Sequence, residues 1–383
     1  MGFIKPYFNV EYTYTELRRG LNMSEQQLTL DLEILQSFDD KYPFPSTRYQ
    51  GSKSKIVDWI WENIKDINFT SCLDAFGGTS SVSHMLKRKG KQVYYNDYLK
   101  FNSTIGKAII ENKDITLDDS DLNTLLNKHT FINYPTFIQN TFKDIFYLDE
   151  ENEWLDMLIT NIELLRDEYK QSIAWFALFQ ACIIKRPYNL FHRANLYVRT
   201  SDVKRSFGNK ATWDTPFEKH FLNFVKEANA AVFDNFTDCK SFNYNIFDFP
   251  NSDIDLVYID TPYITSKRVG TDYLDFYHFL EGMTDYKNWS KKIVPRYKHK
   301  TIIGKGENEW TKPNSIHNSF DNLFSKFPES KLVISYRADG IPTVEELIEI
   351  LTKHKRNNVR IVRTDYKYAL SNTRSEEILL IVD

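Results

Sequence analysis

From Leu256 the chain reads LVYIDTPY, running four apolar residues into Asp260, Thr261, Pro262 and Tyr263. An unbroken apolar run of this kind predicts a strand buried on both faces, and the acid stands where the strand stops. The tetrapeptide holds what is needed to activate an exocyclic amine such as N6 of adenine, whose lone pair is delocalised into its ring. The carboxylate accepts one amine hydrogen and the Thr261 carbonyl the other, while Pro262 sets the turn and the ring of Tyr263 stacks on the base.

Two further stretches carry chemistry. LDAFGGTSSVSHML, from Leu73 to Leu86, places two glycines between a predicted strand and a predicted helix. Glycines there let a ligand reach main-chain amides at a helix N-terminus. Asp97 follows at the end of the next strand, roughly 20 residues on, where a carboxylate can hold ribose hydroxyls. RYQGSKSKI, from Arg48 to Ile56, is a second glycine turn, flanked by Tyr49 and Lys53 and opening another helix.

The elements around these stretches predict an α/β fold. Strand, glycine turn, helix and strand follow one another over Cys72–Tyr95, the opening of a doubly wound parallel sheet. Strand signals return at Asp255–Ile259, Thr301–Ile303, Lys331–Ser335, Asn358–Arg363 and Ile378–Val382. Between them, 111–238 has helical periodicity, most continuous over 153–185, and then turns basic and aromatic. The expected organisation is an N-terminal helical extension over 1–44, with a helix at 21–40. A first part of a Rossmann-like core follows over 45–110, then a mainly helical, basic insert over 111–238, and a second part of the core over 239–383.

Composition narrows the classes. No 18-residue apolar run and no signal-peptide core appear, which places the chain in the cytoplasm with no membrane partner. Cys72, Cys182 and Cys239 are too dispersed for a disulfide framework or a zinc site, so buried reduced thiols and no metal are expected. The net charge of −3 says little, but its distribution says more. Residues 111–168 carry fourteen acids against four bases, whereas 185–227 carry nine bases against four acids, and 287–305 carry seven bases and no acid. Basic blocks on an otherwise acidic chain suit a polyanion.

Taken together and in this order, Tyr49-Gln50-Gly51-Ser52-Lys53, Phe76-Gly77-Gly78-Thr79-Ser80 and Asp260-Thr261-Pro262-Tyr263 resemble the motifs of the D12-class, alpha-group, Dam-like adenine-N6 DNA methyltransferases. In that family an aromatic-x-Gly-Gly-Lys motif precedes an FxGxG loop, a target-recognition insert follows, and DPPY comes late. Asn96-Asp97, the aromatic group Tyr273, Phe276 and Tyr277, and Ser335-Tyr336 with Gly340 extend the similarity, which covers about 45–110 and 240–383.

The resemblance implies a SAM-dependent methyltransferase core with S-adenosylmethionine as cofactor. Tyr49, Gly51, Ser52, Lys53, Asp74, Phe76, Gly77, Gly78 and Thr79 would hold its amino-acid part, Asp97 its ribose, Asn245 and Ile246 its adenine, with Asp260 beside the methyl group. It implies site-specific methylation of an adenine flipped out of double-stranded DNA, and a companion restriction endonuclease. Methylation of RNA and an inactive relative that only binds cofactor and DNA are the alternatives. Four positions depart from the family pattern: Ser52 and Ser80 replace glycines, Thr261 replaces a proline, and Asn245 stands where the family often has an aspartate.

The family's recognition region falls on KRPYNLFHRANLYVRTSDVKRSFGNKATW, residues 185–213. Its bases and amides suit phosphates and base edges, giving Lys185, Arg186, His192, Arg193, Arg199, Lys204, Arg205, Asn209 and Lys210 as expected DNA contacts.

Overall fold

The computed structural model describes residues 41–202, 210–250, 253–304, 306, 308–355, 358–366 and 375–382. The helix expected over 21–40 lies outside them. Seven strands form one sheet in the order β3-β2-β1-β4-β6-β9-β8. They are β1 Ser71–Asp74, β2 Gln92–Asn96, β3 Lys240–Phe242, β4 Leu256–Ile259, β6 Lys331–Arg337, β8 Arg360–Tyr366 and β9 Ser375–Val382. Those from β3 to β6 run parallel, whereas β9 lies antiparallel between β6 and β8. A separate two-stranded ribbon joins β5, Ile264–Thr265, to β7, Gly340–Ile341.

Every residue of β1 and β4 is buried, as central parallel strands covered on both faces must be. Alternation sends Leu256 and Tyr258 to one face and Val257 and Ile259 to the other. The first face packs on the helices Ser81–Arg88, Lys100–Gly106, Glu168–Ile184 and Phe217–Ala231, and the second on Ile316–Lys326 and Val344–His354. Chain order reverses between β1 and β4, opening a crevice at their C-terminal ends, and the sheet register sets Asp74 beside Tyr258 there.

Helices that follow residue 111 in the chain share the core of the first face. Phe179 meets Phe101 edge-on at 5.7 Å, and His84 Nε2 lies 3.1 Å from the Ala231 carbonyl. The insertion is therefore one of chain topology, and the packing runs through it.

Two local expectations change, and one strand appears that the sequence did not signal. The periodic run over 153–185 is two helices, Asp149–Ile162 and Glu168–Ile184, because Asp167 turns its carboxylate onto the amides of Tyr169 and Lys170 and starts a new helix. Thr301–Ile303 makes only an isolated bridge, Ile293 to Ile302. The strand β3 gave no apolar signal because it is a half-buried edge strand.

The departure at Ser80 has a backbone consequence. Ser80 precedes the Ser81–Arg88 helix at φ +66°, in the left-handed region that a Cβ disfavours. Ser80→Gly is expected to raise unfolding free energy by roughly 0.5–1 kcal/mol, the relief of strain being partly offset by the freer unfolded chain. Urea denaturation checks this.

Candidate active site

A cavity of 280 Å³ opens at the C-terminal ends of β1, β2 and β4. Its walls include Tyr49, Gly51, Lys53, Asp74, Phe76, Gly77, Gly78, Thr79, Asp97, Asn245, Ile246 and Asp260, so the separate sequence motifs meet in one place. Ser52 is not on the wall. Its hydroxyl lies 3.2 Å from that of Thr79 and ties the first turn to the glycine loop. Gly51 needs to be glycine, since its φ is +87° and a Cβ would stand 2.5 Å from the Tyr273 hydroxyl. Gly77 is equally constrained, for a Cβ would fall 2.0 Å from the ring of Tyr95.

Aromatic residues complete the cavity, some marked by the motifs and others not. Tyr49 stacks on Tyr273 at 5.4 Å and on Tyr277 at 4.5 Å, and Tyr277 accepts the Gln50 amide through its hydroxyl. Tyr244, Phe247 and Trp310 also line it, with Trp310 parallel to Phe247 and edge-on to Phe76. The signal for Trp310 was absent because it reaches the cavity from a short helical turn, Glu309–Thr311, far along the chain from the motifs.

Asp74, Asp97 and Asp260 face this space from the strand ends, alongside Asp272 and Glu309. Asp97 accepts the Gly78 amide at 2.9 Å and the Leu99 amide at 2.8 Å. Burial pushes its carboxyl up to about 6, against those amides. Burial pushes Asp74 up to about 7, opposed by the Ser83 hydroxyl 2.6 Å from Oδ2. Asp74 Oδ1 is buried without a hydrogen-bond partner. Burial also raises Asp260, whose Oδ1 accepts from Lys53 Nζ at 2.9 Å and from the Tyr263 hydroxyl at 2.5 Å.

The turn from Asp260 to Tyr263 and its lysine partner differ from expectation in two respects. Lys53 directs its ammonium at Asp260, at the Tyr263 hydroxyl 2.8 Å away and at Glu377 Oε1 3.2 Å away, so its protons are engaged by protein. Burial alone would depress this ammonium, but Asp260 and Glu377 lift it above its ordinary value. Tyr263 meets the site through its hydroxyl. Its ring is 7 % exposed, is absent from the cavity wall and lies edge-on to Tyr336. Pro262 does line the cavity, and Thr261 is buried behind it.

The family model for D12 class N6 adenine-specific DNA methyltransferases matches residues 49–335. The chain belongs to that family. It is similar to the type II methyltransferase M2.HphI of Haemophilus parahaemolyticus, with 28% identity over 353 residues that cover 89% of this chain and 98% of the relative. Modification methylase LlaI of Lactococcus lactis subsp. lactis is 24% identical over 86% of this chain, and type II methyltransferase M.FokI of Planomicrobium okeanokoites is 25% identical over 86%. The chain spans about half the length of these two, 52% and 50%.

The methyltransferase treats its expected DNA contacts unequally. Lys185, Arg186 and Arg199 are buried, which corrects the expectation that they face DNA. Lys185 donates to the Trp213 and Thr215 carbonyls and pairs with Glu151 at 2.7 Å. Arg199 grips both oxygens of Glu151, at 2.8 and 2.7 Å. Arg186 donates to the carbonyls of Phe146, Leu190 and Arg193 and to the Asn195 side chain. The acidic run and the basic run of the sequence meet here inside the protein. Arg193 and Lys210 are exposed and His192 is half-buried beside Phe276, while Lys204, Arg205 and Asn209 lie outside the described residues.

Among the described residues no group of His, Cys, Asp and Glu could hold a metal ion, and no helix is long and apolar enough to cross a membrane. The cavity fits S-adenosylmethionine: the lone Asp74 Oδ1 suits an ammonium, and the glycine loop presents its main chain on the cavity wall.

Asp74 connects this fit to stability. Its folded value of about 7 lies above the ordinary carboxylate value, so the native state binds the proton more tightly and stability falls as pH rises between the two. Asp74→Asn is therefore expected to raise the melting temperature of the ligand-free protein by a few kelvin at pH 8, with little change at pH 4, while cofactor affinity falls. Scanning calorimetry at both pH values and titration calorimetry with the cofactor check the two effects.

Proposed function

We propose that this methyltransferase, acting in the cytoplasm, moves a methyl group from S-adenosylmethionine to N6 of an adenine flipped out of double-stranded DNA, as the modification partner of a restriction endonuclease. One observation carries the reading: the carboxyl at the end of β4 shares a single cavity with the glycine loop and the 49–53 turn.

When bound, the cofactor supplies an electrophilic methyl on a sulfonium. Asp74 would receive its ammonium, Asp97 its ribose hydroxyls, and Asn245 with Ile246 the edge of its adenine. Asp260 and the Thr261 carbonyl would accept the hydrogens of the target amine, which frees the nitrogen lone pair from the ring. Tyr263, whose hydroxyl already holds Asp260, would orient that carboxylate; stacking on the base would require its ring to leave the edge-on packing against Tyr336.

Duplex DNA would be held by the exposed bases. Besides Arg193 and Lys210, a short ribbon closed by the Ile293–Ile302 bridge presents Arg296 and Lys298 in the open and Lys300 half-buried. Its base carries Ile302 and Gly304 into the cavity wall, which ties the ribbon to the cavity.

Asp260→Ala tests the chemistry: cofactor binding is expected to persist while methylation of duplex DNA, read by tritium transfer, drops roughly 10²–10⁴-fold. Normal turnover would refute the assignment. Replacing Arg296, Lys298 and Lys300 together by alanine is expected to weaken DNA binding alike on all sequences. The log K against log salt slope should fall by about 0.9 per lost phosphate contact, measured by fluorescence anisotropy.

A further inference from the structure

Glu377 lies on β9, is fully buried, and belongs to none of the motifs that mark the family. An acid is costly in such a place, and the next five residues of the strand, Ile378 to Val382, are buried apolar side chains. Its Oε1 accepts from the Ser335 hydroxyl at 2.6 Å and from Lys53 Nζ at 3.2 Å, with the Tyr263 hydroxyl also at 3.2 Å. An ammonium has three protons to place. Lys53 finds three acceptors: Asp260 Oδ1, the Tyr263 hydroxyl and Glu377 Oε1. Both protein donors to Asp260 fall on Oδ1, and among the described residues Oδ2 receives none. Without Glu377 one proton of the ammonium would lose its acceptor beside Asp260, and turning toward Oδ2 would regain one.

We propose that Glu377 is a positioning residue for methyl transfer: by taking one proton of Lys53 it keeps that ammonium on Oδ1 of Asp260 and leaves Oδ2 for the target amine. The inference rests on the role given to Asp260 above. The charge of Glu377 also acts on Asp260, in the opposite sense, by disfavouring the ionised carboxyl. Asp260 faces Lys53 from the 49–53 turn, Glu377 from β9, Asp74 from β1, Tyr258 from β4, Tyr263 from its own turn and Tyr273 from the following helix. Burial raises Asp260, Lys53 opposes the rise and Glu377 adds to it. The ionised carboxyl is the acceptor, so turnover climbs as pH rises through its titration. Removing the charge of Glu377 lowers the pKa of Asp260 and moves the climb to lower pH.

The test is steady-state methylation of DNA lacking methylated adenine, by the full chain with S-adenosylmethionine, across pH. Glu377→Leu keeps roughly the bulk and removes both the acceptor and the charge. Its KM values for cofactor and DNA should stay within about twofold, its kcat fall about 100-fold, and its acid limb shift to lower pH by about one unit. Ser335→Ala, which loosens Glu377 without removing it, should lower kcat about 3- to 10-fold in the same manner and serves if the first variant does not fold. An unchanged kcat and limb in the folded Glu377→Leu protein, or in Ser335→Ala if it does not fold, overturns the proposal. So does a loss of kcat matched by loss of cofactor binding with the limb unmoved. Absence of adenine methylation by the unaltered protein, or full activity of Asp260→Ala, would instead overturn the role of Asp260 and this inference with it.

Discussion

A single buried cation organises the active centre. Lys53 comes from the turn before the first strand, Asp260 and Tyr263 from the end of β4, and Glu377 from β9, and the ammonium joins all three. Such a charge is tolerated in the interior only with good geometry and satisfied partners. The arrangement therefore resists loosening, since losing one acceptor leaves a proton of an almost buried ammonium unpaired.

The sheet makes this meeting possible. Reversal of strand order between β1 and β4 leaves their ends uncovered, and parallel pairing sets Asp74 beside Tyr258, two residues before Asp260. An antiparallel partner then brings β9 back next to β6, with Glu377 opposite Arg337 and two positions from Ser335. Acids far apart in the chain are thus delivered to one crevice by register alone.

Much of this was legible in the residues. The apolar run ending at Asp260, the glycines at 77 and 78, and the acid at 97 announce strand ends and turns by local rules, and the structure places them on one cavity. What local rules cannot supply is long-range pairing. Glu377 sits in a stretch, SEEILLIV, that reads as an ordinary strand. Lys185, Arg186 and Arg199 looked like surface bases because a basic run is normally solvated, whereas here carbonyls and Glu151 pair them internally. Trp310 reaches the cavity through tertiary packing alone.

The stack of Tyr49 on Tyr273 and Tyr277 joins the turn that borders the cofactor pocket to the helix that follows the catalytic turn. Neither wall can tilt without disturbing the other. Methyl donor and nucleic acid would consequently share one free-energy account: whatever factor the first adds to the affinity of the second, the second returns to the first.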